Sequence, residues 1–303
     1  MTDTTMYKAS DRSDLGKKAK RNALIGKILL YAVLILYAII IIFPFSVVII
    51  TSLKTWQESA SPTFSWIPQE GFHLDGYQAV LTKKMNEDDM LPLIVRSFCN
   101  TLLYVLPPTI IGLINGSLAA YAFAKLNFRA KNIMYAVLLS TMMMPGAITL
   151  VPSFSLYDTL GWVNTPLPLI LPGLFSSAAC VFFMRQFFTG IPDSILEAAK
   201  LDGMGFIGIF FTIMMPLSVP ALIAQGLLGF IGGYNDYLAP LIYLQSSELY
   251  TLQIALRWFA SIYDKEQNNV MASTVLALLP TLVIYFIAQD FFIEGIAASA
   301  IKG

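Results

Sequence analysis

The residues in this chain that could react are few and scattered. There is one histidine, His73, and there are two cysteines, Cys99 and Cys180. No H-E-x-x-H pair offers a zinc site, and no G-x-S-x-G turn offers a nucleophile. Gly16-Lys17 is followed by Lys18, and Gly26-Lys27 by Ile28, so neither forms the G-x-x-x-x-G-K-[ST] phosphate cradle. No catalytic residue, metal site or bound cofactor is expected. What remains is a polar island, Ser194-Ile195-Leu196-Glu197-Ala198-Ala199-Lys200-Leu201-Asp202-Gly203, followed by Ile213 and Pro216. Ser194 and Glu197 have the S-x-x-E spacing of a capping box, which predicts a short helix over 194–202. Gly203 is placed to end it in a left-handed turn. Ala198 and Ala199 carry no bulk, so a partner surface could approach that face. Glu197, Lys200 and Asp202 could pair across such an interface or only cap and solvate the helix. The chemistry on offer is recognition of a soluble partner.

The elements around the island are apolar. The chain is 56% hydrophobic and 13% charged, against about 25% charged in a soluble domain. Its charges cluster and leave long charge-free windows at 28–53, 97–124, 132–157, 159–184, 203–235 and 267–289. A membrane span needs about 20 mostly apolar residues, and a charge at the bilayer centre costs ~2.5–3.5 kcal/mol. The windows therefore predict an all-α membrane protein with six transmembrane helices, at about 28–52, 98–124, 132–154, 166–187, 212–235 and 268–291. The first is too long for a cleavable signal peptide. Residues 1–24 form a basic arm expected to be disordered, and 25–303 form the membrane domain. The island lies in a loop at about 189–211. Both cysteines fall in expected spans and suggest small buried apolar side chains rather than a disulfide.

Most of the 19 basic residues lie on one side of the expected spans. They include Lys17, Lys18, Lys20 and Arg21 of the arm, then Lys125, Arg129 and Lys131, then Arg185 and Lys200. By the positive-inside rule both termini and the 189–211 loop are cytoplasmic. Zero net charge gives no hint of nucleic-acid binding. Gly112-x-x-x-Gly116 and Gly229-x-x-x-Gly233 mark close helix approaches, read chiefly as packing within the chain. Pro107-Pro108, Pro145, Pro152, Pro216, Pro220 and Pro280 are expected to interrupt or bound spans. Tyr234, Asn235 and Asp236, with Trp258, are candidates for a solute path, since rings and amides suit a sugar. An interfacial aromatic belt accounts for them as well.

The island carries a resemblance. Glu197-Ala198-Ala199, then Gly203, Ile213, Met215 and Pro216, has the spacing of the EAA signature in permease subunits of binding-protein-dependent ABC importers, with Met215 where leucine is usual. The stretches Tyr250-Thr251-Leu252, Leu279-Pro280, Phe292-Ile293-Glu294-Gly295 and Ala300-Ile301-Lys302-Gly303 are similar to the carbohydrate-uptake branch and its maltose-type second permease, with Ser299 where glycine is common. The resemblance implies a type I importer permease fold in the bacterial plasma membrane. It implies a sugar or oligosaccharide brought by an extracytoplasmic solute-binding protein, a second homologous permease, and two cytoplasmic ATPase subunits that use ATP and Mg. In that setting Glu197, Ala198, Ala199, Asp202, Gly203, Ile213 and Pro216 would couple to the ATPase, and Lys302 and Gly303 of the tail would touch it. A glycerol phosphate ester is an alternative solute, and a stand-alone secondary transporter an alternative role.

Overall fold

The computed structural model describes the backbone of residues 3–263 and 266–300, and the side chains of 22–146, 148–263 and 266–289. The tail residues Lys302 and Gly303 lie outside the described residues. The described chain is helical, without strands. Helices α1 (Asp3–Ser52), α2 (Trp56–Ser59) and α3 (Asp75–Thr82) precede the long α4 (Leu93–Lys125). Then come α5 (Lys131–Thr141), α6 (Gly146–Thr159), α7 (Leu167–Leu174), α8 (Ala178–Thr189) and α9 (Asp193–Leu201). Next are α10 (Phe206–Ile209), a π-helical turn (Phe210–Met214), α11 (Met215–Leu217), α12 (Val219–Tyr234) and α13 (Leu238–Tyr243). After a 3₁₀ turn at Ser247–Leu249, α14 (Leu252–Ile262) and α15 (Gln267–Ala300) complete the order.

Four helical stretches are long and apolar enough to cross a membrane: Asn22–Ser52, Leu93–Lys125, Leu167–Thr189 and Gln267–Gln289. A fifth is Phe206–Leu217 with Val219–Tyr234, which bend by 82° at Ser218. The expected span at 132–154 is divided into α5 and α6, and Pro145 stands at the N-cap of α6. Proline lacks the N–H a continuing helix needs and disfavours α-conformation in the residue before it. By contrast, Pro107 and Pro108 sit inside α4 and Pro280 inside α15 without ending either helix.

Helix α4 is the axis of the molecule and packs on α7, α8, α12 and α14. One apolar cluster joins its C-terminal half to α8, α9, the π-turn and the start of α12 through Tyr121, Phe123, Met184, Phe188, Leu196 and Phe210. A second joins its N-terminal half to α3, α12, α14 and α15 through Val80, Leu93, Phe230, Tyr234, Leu252 and Phe259. The glycine pair of α4 faces its own chain. A Cβ on Gly112 would lie 2.3 Å from the Gly173 carbonyl oxygen, and one on Gly116 would lie 2.2 Å from Ser176 Oγ. Backbones meet there, as small residues four apart allow. Asn115 Nδ2 donates to the Leu174 carbonyl at 2.7 Å, giving a partner to an oxygen at the end of α7. Cys180 is buried as expected, whereas Cys99 faces outward from the chain. So does α1 from Ile28 to Phe45, apolar on every side. Such a face needs lipid or another chain to cover it.

The segment after α1 folds on itself. Lys54 is buried, donates to Ser65 O at 2.7 Å and Ser65 Oγ at 2.9 Å, and lies 4.5 Å from the Phe64 ring centroid. Farther on, Arg96 grips Asp89 with two bonds of 2.9 and 3.0 Å. These bonds lead the causes that hold the Asp89 carboxyl down at about 2. His73 is a surface residue whose Nε2 lies 3.1 Å from the Glu70 carbonyl.

Candidate functional site

The polar island forms an elbow between α8 and α12. Helix α8 ends at Thr189, and Pro192 stands at the N-cap of α9 with φ −61° and ψ 135°. The helix therefore starts one residue before Ser194, and no side chain caps it. The expected capping box does not form. Proline presets the extended entry but has no side-chain acceptor, and Ser194 already lies inside the first turn. Glu197 is thereby released from a capping role and is exposed.

The other end of α9 is as expected. Gly203 has φ +83°. Its N–H donates to Lys200 O and the Met204 N–H donates to Ala199 O, both at 3.0 Å. This is the paired bonding of a Schellman turn, which favours glycine at the left-handed position. Met204 joins the apolar cluster that contains Ala199, supplying the hydrophobic contact that accompanies such a turn.

Helix α9 is two-faced. Leu196 and Ala199 are buried against Phe123, Phe188 and Ile191. Glu197, Ala198, Asp202 and Gly203 are exposed, and Leu201 is 89% exposed. Among the described residues nothing beyond its chain neighbours lies within 4 Å of a Cβ on Gly203. Ile213 is half-buried on the same cluster, while Pro216 sits in α11 at the surface. Of the residues read from the signature, four thus present an open face, Ala199 anchors it, and Ile213 and Pro216 lie on the return path toward α12.

The elbow is fastened to α4. Lys125, whose side chain is 6% exposed, donates from Nζ to Ile191 O and to Asp193 Oδ1, both at 2.6 Å. That hydrogen bond leads the causes that lower the Asp193 carboxyl from its ordinary range. Arg185 Nε donates to Phe123 O at 3.2 Å, and its guanidinium lies 4.2 Å from the Tyr135 ring centroid. A cation at a helix C-terminus is favoured by the helix dipole. Sequence reasoning counted Lys125 and Arg185 only as topology markers, because both bonds join elements about 60 residues apart.

A cavity of about 450 Å³ opens between α4, α7, α8, α12 and α13. Asp236 is on its wall and is the one charged residue of the described lining, where Thr109, Gln225, Ser177 and Thr251 supply polar groups. Thr251 is buried, and its hydroxyl has no partner among the described residues. The other solute-path candidates lie elsewhere. Tyr234 is 1% exposed, and its hydroxyl donates to Ala277 O at 2.8 Å. Asn235 Nδ2 donates back to Ile231 O, and Trp258 packs on Phe259. Gln225 was the residue to find from sequence, an amide in the middle of a charge-free window.

Residues 90–297 match the family described as the binding-protein-dependent transport system inner membrane component. The chain is 35% identical over 206 residues to the arabinooligosaccharides transport system permease AraQ of Bacillus subtilis, covering 68% of this chain and 73% of that one. It is 35% identical over 202 residues to the lactose transport system permease LacG of Rhizobium radiobacter, covering 67% and 74%. It is 30% identical over 286 residues to the inner membrane ABC transporter permease YcjP of Escherichia coli, covering 94% and 100%. In fold it is similar to a bacterial ABC transporter involved in import of the acidic polysaccharide alginate, with TM-score 0.76 and 23% identity over 88% of this chain and 96% of that one. The elbow between apolar helices is thus part of a membrane permease, and the chain belongs to the family of inner-membrane components of binding-protein-dependent transport systems.

Proposed function

We propose that this chain is one of two homologous permease subunits of an ATP-driven importer for a neutral oligosaccharide. An extracytoplasmic binding protein delivers the sugar, one of two cytoplasmic ATPases docks on α9, and ATP and Mg are used by the ATPases themselves. The observation that carries this reading is the two-faced α9. A nine-residue helix is too short to be stable alone. Here it is held from behind and leaves Glu197, Ala198, Leu201 and Gly203 bare. In this reading α5 and α6 together make the third crossing, which gives six spans with both termini inside.

The sugar-specific relatives support the solute class, and the cavity supports its charge. With Asp236 on the wall and no cation in the described lining, a phosphate ester or uronate at ~6 Å would meet repulsion of about 3 kcal/mol at an effective dielectric near 20. Alternating access needs roughly 5.5 kcal/mol of differential binding to swing a two-state gate from 1:99 to 99:1. Closure of the ATPases around α9 supplies it. The test is uptake by cells carrying the complete system, with radiolabelled neutral oligosaccharides and glycerol phosphate as solutes. Neutral sugar should accumulate only when the ATPase is active. Glycerol phosphate uptake that depends on this chain, or sugar uptake without the ATPase, overturns the proposal.

A further inference from the structure

The connections at the two ends of α9 differ in kind. At its N-terminal end, the buried Lys125 ammonium bonds both the linker carbonyl of Ile191 and the first-turn carboxylate of Asp193. Two residues earlier in α4, the Phe123 carbonyl accepts from Arg185 of α8. Leu196 and Ala199 fill the same apolar cluster as Phe123 and Phe188. That cluster also takes in the π-helical turn and the start of α12, so it is the two polar bridges that single out the last turn of α4, the end of α8 and α9. At its C-terminal end, α9 passes through a left-handed glycine, a π-helical turn and an 82° bend at Ser218 before α12 begins. Irregular turns and breaks of this kind are where helices bend.

We propose that Lys125 is a positioning residue that locks α4, α8 and α9 into one lever, and that the compliant joint lies on the α12 side, around Ser218. The proposal rests on α9 being the surface the ATPases grip. Movement of α9 then carries α4 with it as a rigid body. Helix α4 lines the cavity with Thr109 and Gly112, and α12 lines it with Gln225 and Gly229. Swinging one wall against the other changes access to the cavity. Without Lys125, α9 still offers its outer face but slips against α4.

The test uses the assembled complex with its ATPases and binding protein, in a background where Cys99 and Cys180 are replaced by serine and alanine. One reporter cysteine is introduced at a time, Thr109→Cys on α4 or Gln225→Cys on α12. The rate of labelling by a polar maleimide is read with and without a non-hydrolysable ATP analogue. Lys125→Met removes both bonds while keeping the bulk and the apolar stem, and the Asp193 carboxylate it leaves behind is 75% exposed, so no charge is stranded in the interior. Lys125→Arg keeps the charge and the donors. The expected result is that Lys125→Met still co-purifies the ATPase but loses the nucleotide response at both 109 and 225, since both report the swing of α4 against α12, while Lys125→Arg restores both responses. Asp193→Asn, which removes only the charge, is a milder second variant expected to weaken the response at both positions. A Lys125→Met complex that co-purifies the ATPase and responds like the parent at either position overturns the lever. If the parent complex itself shows no nucleotide response, or no ATPase co-purifies with it, the docking reading falls and the lever with it.

Discussion

Gly203 offers the sharpest test of how α9 works, because its backbone and steric roles separate cleanly. Its φ of +83° places it where an L side chain costs about 1–2 kcal/mol, with asparagine cheaper than alanine. Among the described residues nothing beyond its two chain neighbours lies within 4 Å of a Cβ built there, so the backbone penalty dominates the cost. Since 1.4 kcal/mol is a factor of ten, the Schellman turn should be populated ~5–30-fold less in Gly203→Ala. A β-branched residue in the same conformation is worse still. The assay is ATP hydrolysis stimulated by the binding protein in reconstituted complexes of Gly203→Asn, Gly203→Ala and Gly203→Val, with membrane insertion measured alongside. Stimulation should fall in the order glycine, asparagine, alanine, valine, with insertion unchanged. Asparagine as damaging as valine would mean that side-chain bulk against the ATPase is the cause, which refutes the backbone argument. Alanine equal to glycine would mean that the left-handed turn does not matter to coupling.

The remaining predictions concern packing and charge. Gly112→Ala should destabilise the permease by about 1–3 kcal/mol, since its Cβ must displace the Gly173 carbonyl 2.3 Å away. A lowered thermal unfolding midpoint of the purified protein checks this, and Gly146→Ala, with nothing but its chain neighbours within 4 Å among the described residues, is the control. Tyr234→Phe should cost about 0.5–1.5 kcal/mol through loss of the bond to Ala277 O and leave uptake intact; a specific loss of uptake at unchanged stability would instead place Tyr234 on the solute path. Asp89 has its folded pKa lowered from 3.8 to about 2 by Arg96. Its contribution is therefore fully present above pH ~4 and is lost as pH falls toward about 2. Protease susceptibility of the 83–92 segment should rise across that window, and Asp89→Asn should be susceptible throughout.

Much of the candidate site was legible because its signals are local. A glycine that ends a helix and a polar run between charge-free windows are properties of neighbouring residues, and Gly203 and the position of α9 followed from them. The capping box failed for an equally local reason: Pro192 sets the entry to α9 one residue early, which leaves Ser194 inside the helix. The prolines were ambiguous in sequence. Pro145 stands where a window is divided, yet Pro107 and Pro108 ride inside α4, where neighbouring helices support it.

Composition and charge spacing by themselves determined that this is a helical membrane chain with a polar elbow, because the cost of charge in hydrocarbon and the conformational freedom of glycine act residue by residue. Only the tertiary structure decided that Lys125 holds α9 to α4, that Gly112 lies against Gly173, and that Asp236 rather than Tyr234 faces a cavity. Those facts depend on which helix faces which across tens of residues, and hydrophobic periodicity does not encode that choice when nearly every face of a span is apolar.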